Sequence, residues 1–405
     1  MSTPTDALQR LRQVHEDAVL STLRASGALS RAQLTDRTGL SRSTLFAIIS
    51  DLMERGAVIE TEPVAAEPRG RGRPAALVSL NPAAGLLLGL DLGRGRVRLA
   101  VANAAHQVVA TASASLPEDA APMEEAEAAI GLAREVAAER GIALGSLEAV
   151  GLGLVGVVDD SPWASARDDE FPGAPRTVPA SYLTVARRVA EEFGVRVAVD
   201  NNARLAALAE ATWGVGRSVR DLVYVRWSVG IGGGFIVAGR LLRGAHGASG
   251  EIGHVSLDPG GEPCHCGGRG CLEGRIGGPA LLRACAARGV SLPGLDALVA
   301  AAQDRVPAVC EVIVSAAADL GRVVAGTVTQ LDPALIVMGG ELAGLGSLVL
   351  DPIRDAIARL ALPRSPREIT VTQADLGVNA SAMGAIALLV SEEPSIPAHL
   401  RPPVP

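Results

Sequence analysis

Two stretches of this 405-residue chain repeat one pattern, an apolar run that meets a glycine turn and returns as a second apolar run. The first, GLLLGLDLGRGRVRLAVAN, starts at Gly85, and the second, DLVYVRWSVGIGGGFIVAGRLLRG, starts at Asp221. Each predicts strand, turn, strand, because glycine takes the φ > 0 geometry of a tight turn without steric cost and the flanks are rich in β-branched and aliphatic residues. HQVVATASA adds a third strand to the first unit. A helix from about Met123 to Arg140, a strand over LEAVGLGLVG, a helix near Ser181 to Phe193 and a strand at VRVAVD lie between the two units, and ALIVMGGEL runs a further strand into Gly339-Gly340. Strands alternating with helices after Asn81-Pro82, in two similar halves, predict an α/β module.

Before Asn81 the pattern is helical. AVLSTLRASGA carries Val19, Leu20 and Leu23 at helical spacing and stops at Gly27. Ser30 then caps RAQLTDRT, Gly39 supplies a turn, and Ser41 caps RSTLFAIISDLMERG. In that last helix Leu45, Ile48, Ile49, Leu52 and Met53 form one stripe predicted to be buried, which leaves Arg42, Ser43, Thr44 and Ala47 on the outer face beside the capping Ser41. A helix-turn-helix presents those positions to base edges in the major groove. AVIETEP and AALVSL predict two strands joined by VAAEPRGRGRP, the layout of a winged helix, and Arg69, Arg71 and Arg73 interleave with glycine there in a form suited to a narrow minor groove. The competing readings are a three-helix bundle without nucleic acid and a solvated linker.

The formal charge of −7 gives no overall attraction to polyanions, so DNA contact must come from this local patch. All 37 basic residues are Arg, which removes lysine chemistry. Hydrophobic residues make up 48% of the chain without an apolar run of the ~18 residues a membrane helix needs, so no membrane partner is expected. MSTPTDALQRLRQ lacks an apolar export core, so the cytoplasm is the expected compartment. Cysteines stay reduced there, and clustered ones read as metal ligands. His254, Cys264, Cys266 and Cys271 give the spacing H-x9-C-x-C-x4-C. Four such ligands complete a tetrahedral Zn²⁺ shell with no open position, so the expected cofactor is structural zinc. His265 reads as a bystander, and Cys285 and Cys310 as core.

A duplicated hairpin unit with facing glycine turns is the plan of the actin-like fold of sugar kinases and Hsp70-type ATPases. The winged helix, the DLG turn, SVGIGGG, EIGH and the cysteine cluster, in this order over nearly the whole chain, resemble the ROK family of repressors and sugar kinases. The resemblance implies an α/β fold in which an amino-terminal winged helix-turn-helix precedes a two-lobed actin-like module. The expected division is a winged helix-turn-helix over 1–62, an Arg/Gly-rich wing and linker over 63–81, a first lobe over 82–199 and a second lobe over 200–395. The second lobe carries the zinc loop and a C-terminal helix returning to the first; a Pro-rich tail over 396–405 follows.

Four departures from the family's kinases stand out. The first turn reads Asp91-Leu92-Gly93-Arg94-Gly95 where kinases have Asp-x-Gly-Gly-Thr, and the second reads Ser228-Val229-Gly230-Ile231 where they have Gly-Thr-Gly-Ile. Both have lost the threonine hydroxyl that helps to cradle phosphate. The catalytic Asn-Asp-Ala is Asn201-Asn202-Ala203 here, and an amide cannot take up the proton that the kinase aspartate accepts. No catalytic residue is therefore expected. The resemblance assigns hydroxyl recognition to Asn201, Asn202, Glu251, His254 and Glu273, the last three through ExGH and the Glu after the final cysteine. The Gly-x-Pro-Gly loop of the kinases has Val155 in place of Pro. The expected function is a DNA-binding regulator, a repressor, whose module binds a sugar or sugar derivative without phosphorylating it. Its expected partners are a palindromic operator, the sugar effector and a second copy, as a homodimer or a dimer of dimers. The alternatives are an ATP-dependent sugar kinase that retains a DNA-binding head and a zinc sensor.

Overall fold

Short capping residues set the amino-terminal helices. The computed structural model describes residues 12–61 apart from 13, 17, 21, 24 and 25; 76–81; 85–158 apart from 94, 105 and 118; 163–164; 180–362; and 369–391. The described residues of 12–26 are helical (α1). Ser30 Oγ accepts the Gln33 N–H while Gln33 Oε1 accepts the Ser30 N–H, a reciprocal cap that starts α2 (Arg31–Thr38). Gly39, at φ 69°, ends it. Ser41 Oγ accepts the Thr44 N–H at 3.2 Å and starts α3 (Arg42–Glu54).

From α3, Leu45, Ile48, Ile49 and Leu52 join Val19, Leu23, Leu34, Val58 and Val78 in one core. Met53, expected in that stripe, is 36% exposed. At 3.6 residues per turn it falls about 80° round the helix from Leu45, past the edge of the buried face. Two expected strands form, β2 (Val58–Thr61) and β3 (Leu77–Leu80), paired antiparallel with Val58 opposite Leu80. A two-residue strand, β1 (Leu29–Ser30), adds to the other edge of β3, giving the order β1-β3-β2. Arg69, Arg71 and Arg73 lie outside the described residues, as does Arg94.

The two glycine-turn units build two sheets. β4 (Leu86–Gly93), β5 (Arg96–Asn103), β6 (Val108–Ser115), β7 (Leu147–Leu154), β8 (Trp163–Ala164) and β9 (Arg196–Asn201) stand in the order β6-β5-β4-β7-β9-β8, with α4 (Pro122–Arg140) and α5 (Ala180–Phe193) in the connections. β7 and β9 are parallel, with Leu154 opposite Asn201, so β9 delivers its last residues to the end of the sheet. The second sheet has β10 (Leu222–Trp227), β11 (Ile231–Val237), β12 (Arg240–Leu242), β13 (Leu335–Gly339) and β14 (Thr370–Gln373) in the order β12-β11-β10-β13-β14. In it an antiparallel hairpin is continued by two parallel strands.

The intervening helices are α6 (Asn202–Thr212), α7 (Leu272–Ile276), α8 (Gly278–Ala286), α9 (Leu295–Gln303), α10 (Pro307–Leu331), α11 (Ser347–Leu360) and α12 (Ala380–Val390). Val223, Val225, Ile336 and Met338 of the second sheet pack with Val324 of α10 and Ile353 of α11 in the largest core cluster. α12 returns to the first sheet, where Gly89 of β4 and Gly151 of β7 meet the carbonyls of Ala382 and Ala385 so closely that a Cβ at either position would collide with backbone. The chain divides into two units, 1–87 with 101–110 and 143–148, and 88–100 with 111–142 and 149–405. No helix among the described residues is long and apolar enough to cross a membrane.

Candidate functional site

β9 ends where it must satisfy the first amides of α6, and it does so with Asn201. Asn201 Oδ1 accepts the Ala203 and Arg204 N–H groups at 2.8 and 3.1 Å, while its Nδ2 donates to the Gly156 carbonyl at 2.8 Å and to Glu251 Oε1 at 3.4 Å. Asn201 is thus a helix cap and also a brace for Glu251. Asn202, the first residue of α6, lines the adjoining cleft, and its carbonyl accepts the Ser381 hydroxyl at 2.9 Å.

The neighbouring carboxylate points away, as its place at the end of a strand implies. Asp200 accepts Arg204 Nε at 2.6 Å and the Asn201 N–H at 2.7 Å on one oxygen, and Arg243 Nε at 2.9 Å on the other. Arg204 is itself buried, with its remaining donors on the carbonyls of Val158 and Gly247. A carboxylate held by two guanidinium groups is an acceptor already filled, so Asp200 is not free to act as a base.

The cleft has a volume of about 610 Å³, ample for a small molecule, and Asn201, Asn202, Glu251, His254 and Glu273 all line it. Burial pushes the Glu251 carboxyl above the usual range, with Glu273 adding to the shift and His254 and Arg204 opposing it. Glu273 sits in the first turn of α7, and its Oε2 accepts the Ile231 N–H at 2.8 Å. The same oxygen would lie 2.7 Å from a Cβ at position 230, which explains the glycine there. The amide of Ile231, the first residue of β11, is therefore committed to a side chain.

At the other end of the cleft the residues are charged. Arg98 and Asp91 are buried; Arg98 lies 3.5 Å from Asp91 and 3.6 Å from Glu341, and Arg226 Nη1 is 3.5 Å from Ser381 Oγ. Burial lowers the Arg98 pKa, with Asp91 and Glu341 opposing. Burial also acts to raise the Glu341 carboxyl, but a hydrogen bond from Ser228 and the charge of Arg226 overcome it and hold Glu341 below its usual range. No local pattern marks this group, because its members come from β4, β5, β10 and the turn after β13.

The cysteine-rich stretch folds back on itself through the Cys264 N–H to the Gly268 carbonyl and the Gly270 N–H to the Glu262 carbonyl, each at 2.8 Å. His254, Cys264, Cys266 and Cys271 bring one ligand atom each to within 4.8 Å of one another. Cys264 Sγ lies 3.6 Å from His254 Nδ1, and Cys266 Sγ 3.6 Å from Cys271 Sγ. Bonds of about 2.3 Å to sulfur and about 2.0 Å to nitrogen in a tetrahedral shell put neighbouring ligand atoms roughly 3.6–3.8 Å apart, so the four residues fit a zinc ion. Burial pushes the Cys271 thiol up to about 12, while the Gly268 N–H pulls Cys266 down. A divalent cation is what lets such packed thiols ionise together. His254 turns Nδ1 to the sulfurs and Nε2 towards Glu251, 3.9 Å away. His265, expected to be a bystander, lines the cleft 3.8 Å from Glu273 Oε1, with its ring edge-on to His254. Its place between two ligands was visible in the sequence, but its direction depends on the fold of the loop.

In the winged module Arg42, Ser43 and Ala47 are exposed, while Thr44 is half-buried and its hydroxyl meets Ser41 Oγ at 2.8 Å. Phe46, which sequence periodicity did not single out, is exposed beside them.

The family model described as "ROK family" matches residues 87–392. A putative xylose repressor of Caldicellulosiruptor sp. (strain Rt8B.4) is 25% identical over 403 residues, covering 96% of this chain and 98% of that protein. The crystal structure of a ROK family transcriptional regulator, a homolog of the E. coli MLC protein, superposes with a TM-score of 0.74 at 24% identity, covering 93% of this chain and 96% of its own. A ROK family glucokinase from Streptomyces griseus, solved with glucose and AMPPNP, has a TM-score of 0.60 at 27% identity but covers 75% of this chain and 99% of its own.

Proposed function

The chain belongs to the ROK family, and from that premise we propose that it is a sugar-responsive transcriptional repressor whose module binds its effector without phosphorylating it. The observation that carries this reading is the pairing of two facts at one strand end. Hydroxyl-binding side chains converge on the cleft at Asn202, Glu251, His254 and Glu273. Asp200, the carboxylate next to Asn201 in the chain, is held by Arg204 and Arg243. These contacts support recognition, and at the start of α6 neither the amides of Asn201 and Asn202 nor the doubly paired Asp200 offers a free base.

The coverage of the relatives agrees. Repressor and regulator relatives match almost the whole chain, whereas the glucokinase match leaves a quarter of it unaccounted for, and the family model starts after the winged module. We assign DNA contact to that module through Arg42, Ser43 and Ala47 together with the Arg-rich wing. We assign structural zinc to His254 Nδ1 and the three thiolates. When bound, the ion supplies no reaction step; it fixes the loop that carries Glu273 and orients His254 so that Nε2 faces the cleft. A dimer on a palindromic operator follows from helix-turn-helix geometry, with half-sites about 34 Å apart.

The test is a binding titration of the full-length protein against its own promoter region at low salt, with and without a panel of sugars. Retardation that a sugar reverses supports the proposal, and failure to retard any fragment overturns it. Sugar-dependent ADP release, measured on the same preparation, would restore the kinase reading.

A further inference from the structure

Among the Phe, Tyr and Trp side chains whose exposure is described, Phe46 is the one that stands in solvent, at 59% exposure, in a chain in which these residues make up 2%. It stands one helical turn beyond Arg42 on α3 and next to Ala47, on the face already assigned to DNA. The ring is not free to wander. The Arg31 guanidinium carbon sits over it, 5.3 Å from the centroid, and Arg31 is itself tied to Glu60 of β2 at 2.8 Å. The first residue of α2, the wing strand β2 and the outer face of α3 are thereby joined through one aromatic ring.

The surroundings decide what covers this ring. Arg31 and Arg42 flank it, and the amino-terminal ends of α2 and α3 add partial positive charge. Such a face complements a polyanion and repels its own copy. In the major groove the base edges offer hydrogen-bond donors and acceptors and one apolar group, the 5-methyl of thymine. We infer that Phe46, backed by Arg31, reads the 5-methyl group of a thymine in this protein's DNA site. The inference rests on the DNA-binding role assigned above and names the base that the apolar part of the face selects.

The experiment uses the full chain to enrich duplexes from a random library, then replaces each thymine of the enriched site by uracil, which removes only the methyl group. One position is expected to lower wild-type affinity about fourfold on losing its methyl, the size of one buried methyl contact. Phe46→Ala should bind the thymine duplex correspondingly more weakly and no longer distinguish it from the uracil duplex. Phe46→Leu should keep part of the discrimination. Phe46 is exposed, so neither variant is expected to alter folding, which thermal melting checks. Uracil tolerated at every position by the wild type, or discrimination undiminished in Phe46→Ala, overturns the inference. A change of oligomeric state in Phe46→Ala with thymine preference intact also overturns it and assigns the ring to self-association. If no duplex is enriched, the DNA-binding reading itself fails and this one falls with it.

Discussion

Asp200 Oδ1 lies 2.6 Å from Arg204 Nε, with both side chains at 1% exposure, two residues before the cleft-lining Asn202. The pair fixes the end of β9 and the start of α6, so it shapes the cleft while contributing nothing to proton transfer. Removing its negative half should be costly. Asp200→Asn leaves Arg204 buried with reduced charge compensation, and a loss of about 3–5 kcal/mol is expected in chemical or thermal unfolding. A variant as stable as the wild type would show that the guanidinium finds other partners.

Restoring the base should not restore the enzyme. Asn202→Asp places a carboxylate at the cleft, but Val229 still lacks a hydroxyl, the Ile231 amide still serves Glu273, and Arg98 still pairs with Asp91 and Glu341. Sugar-dependent ADP release is expected to stay at background in a coupled assay. Turnover in this variant would mean that the base alone was missing.

Glu273 has two tasks that substitutions can separate. Glu273→Gln keeps an oxygen to accept the Ile231 N–H but loses the charge that strengthens hydroxyl bonds, so sugar affinity should fall by about tenfold or more with little change in melting temperature. Glu273→Ala loses both and should also melt earlier. Calorimetric titration beside thermal shift distinguishes the two outcomes.

Chelation should act on sugar binding through stability. Full-length protein is expected to carry one zinc per chain by elemental analysis, and a strong chelator should lower its melting temperature and weaken sugar binding together. Cys271→Ser should reproduce both effects, since Cys271 is the buried member of the set. Melting that is indifferent to the chelator, with zinc demonstrably gone, would leave the loop self-supporting.

Glu341 sets a pH dependence with a definite sign. Its folded-state pKa lies below the ordinary 4.5, so its charged form contributes stability that is present above that pH and is lost as the pH falls through the folded value. Glu341→Gln should therefore be less stable than the wild type near neutrality, and the gap should close on acidification from about pH 6 to about pH 3. A gap independent of pH would assign the loss to packing.

What could be read in advance was local. Ser30, Gly39 and Ser41 announce two helices because a cap acts within three residues of itself, and the two glycine turns announce two hairpins for the same reason. The cysteine spacing predicted a cluster because four such residues within one loop converge readily, and His254, Cys264, Cys266 and Cys271 do come together. Long-range partnerships were not legible. Nothing near Asp200 in sequence reveals that Arg243 closes its second oxygen, and Arg98 gives no hint of Glu341. Two-residue β1 is too short for any periodicity, and Met53 and Phe46 were decided by where the stripe on α3 ends, which depends on α1 and α2. His265 sat in plain view between two ligands, but its side-chain direction comes from turns that the metal loop makes.

The seating of α12 against Gly89 and Gly151 has a consequence for how the molecule is made. The strands it covers leave the ribosome well before the helix that seals them. Throughout synthesis the first sheet must therefore wait with an apolar face exposed, which is the condition under which nascent chains recruit chaperones or aggregate. A premature stop anywhere before residue 380 would do more than shorten the protein, because it would leave β4 and β7 permanently uncovered.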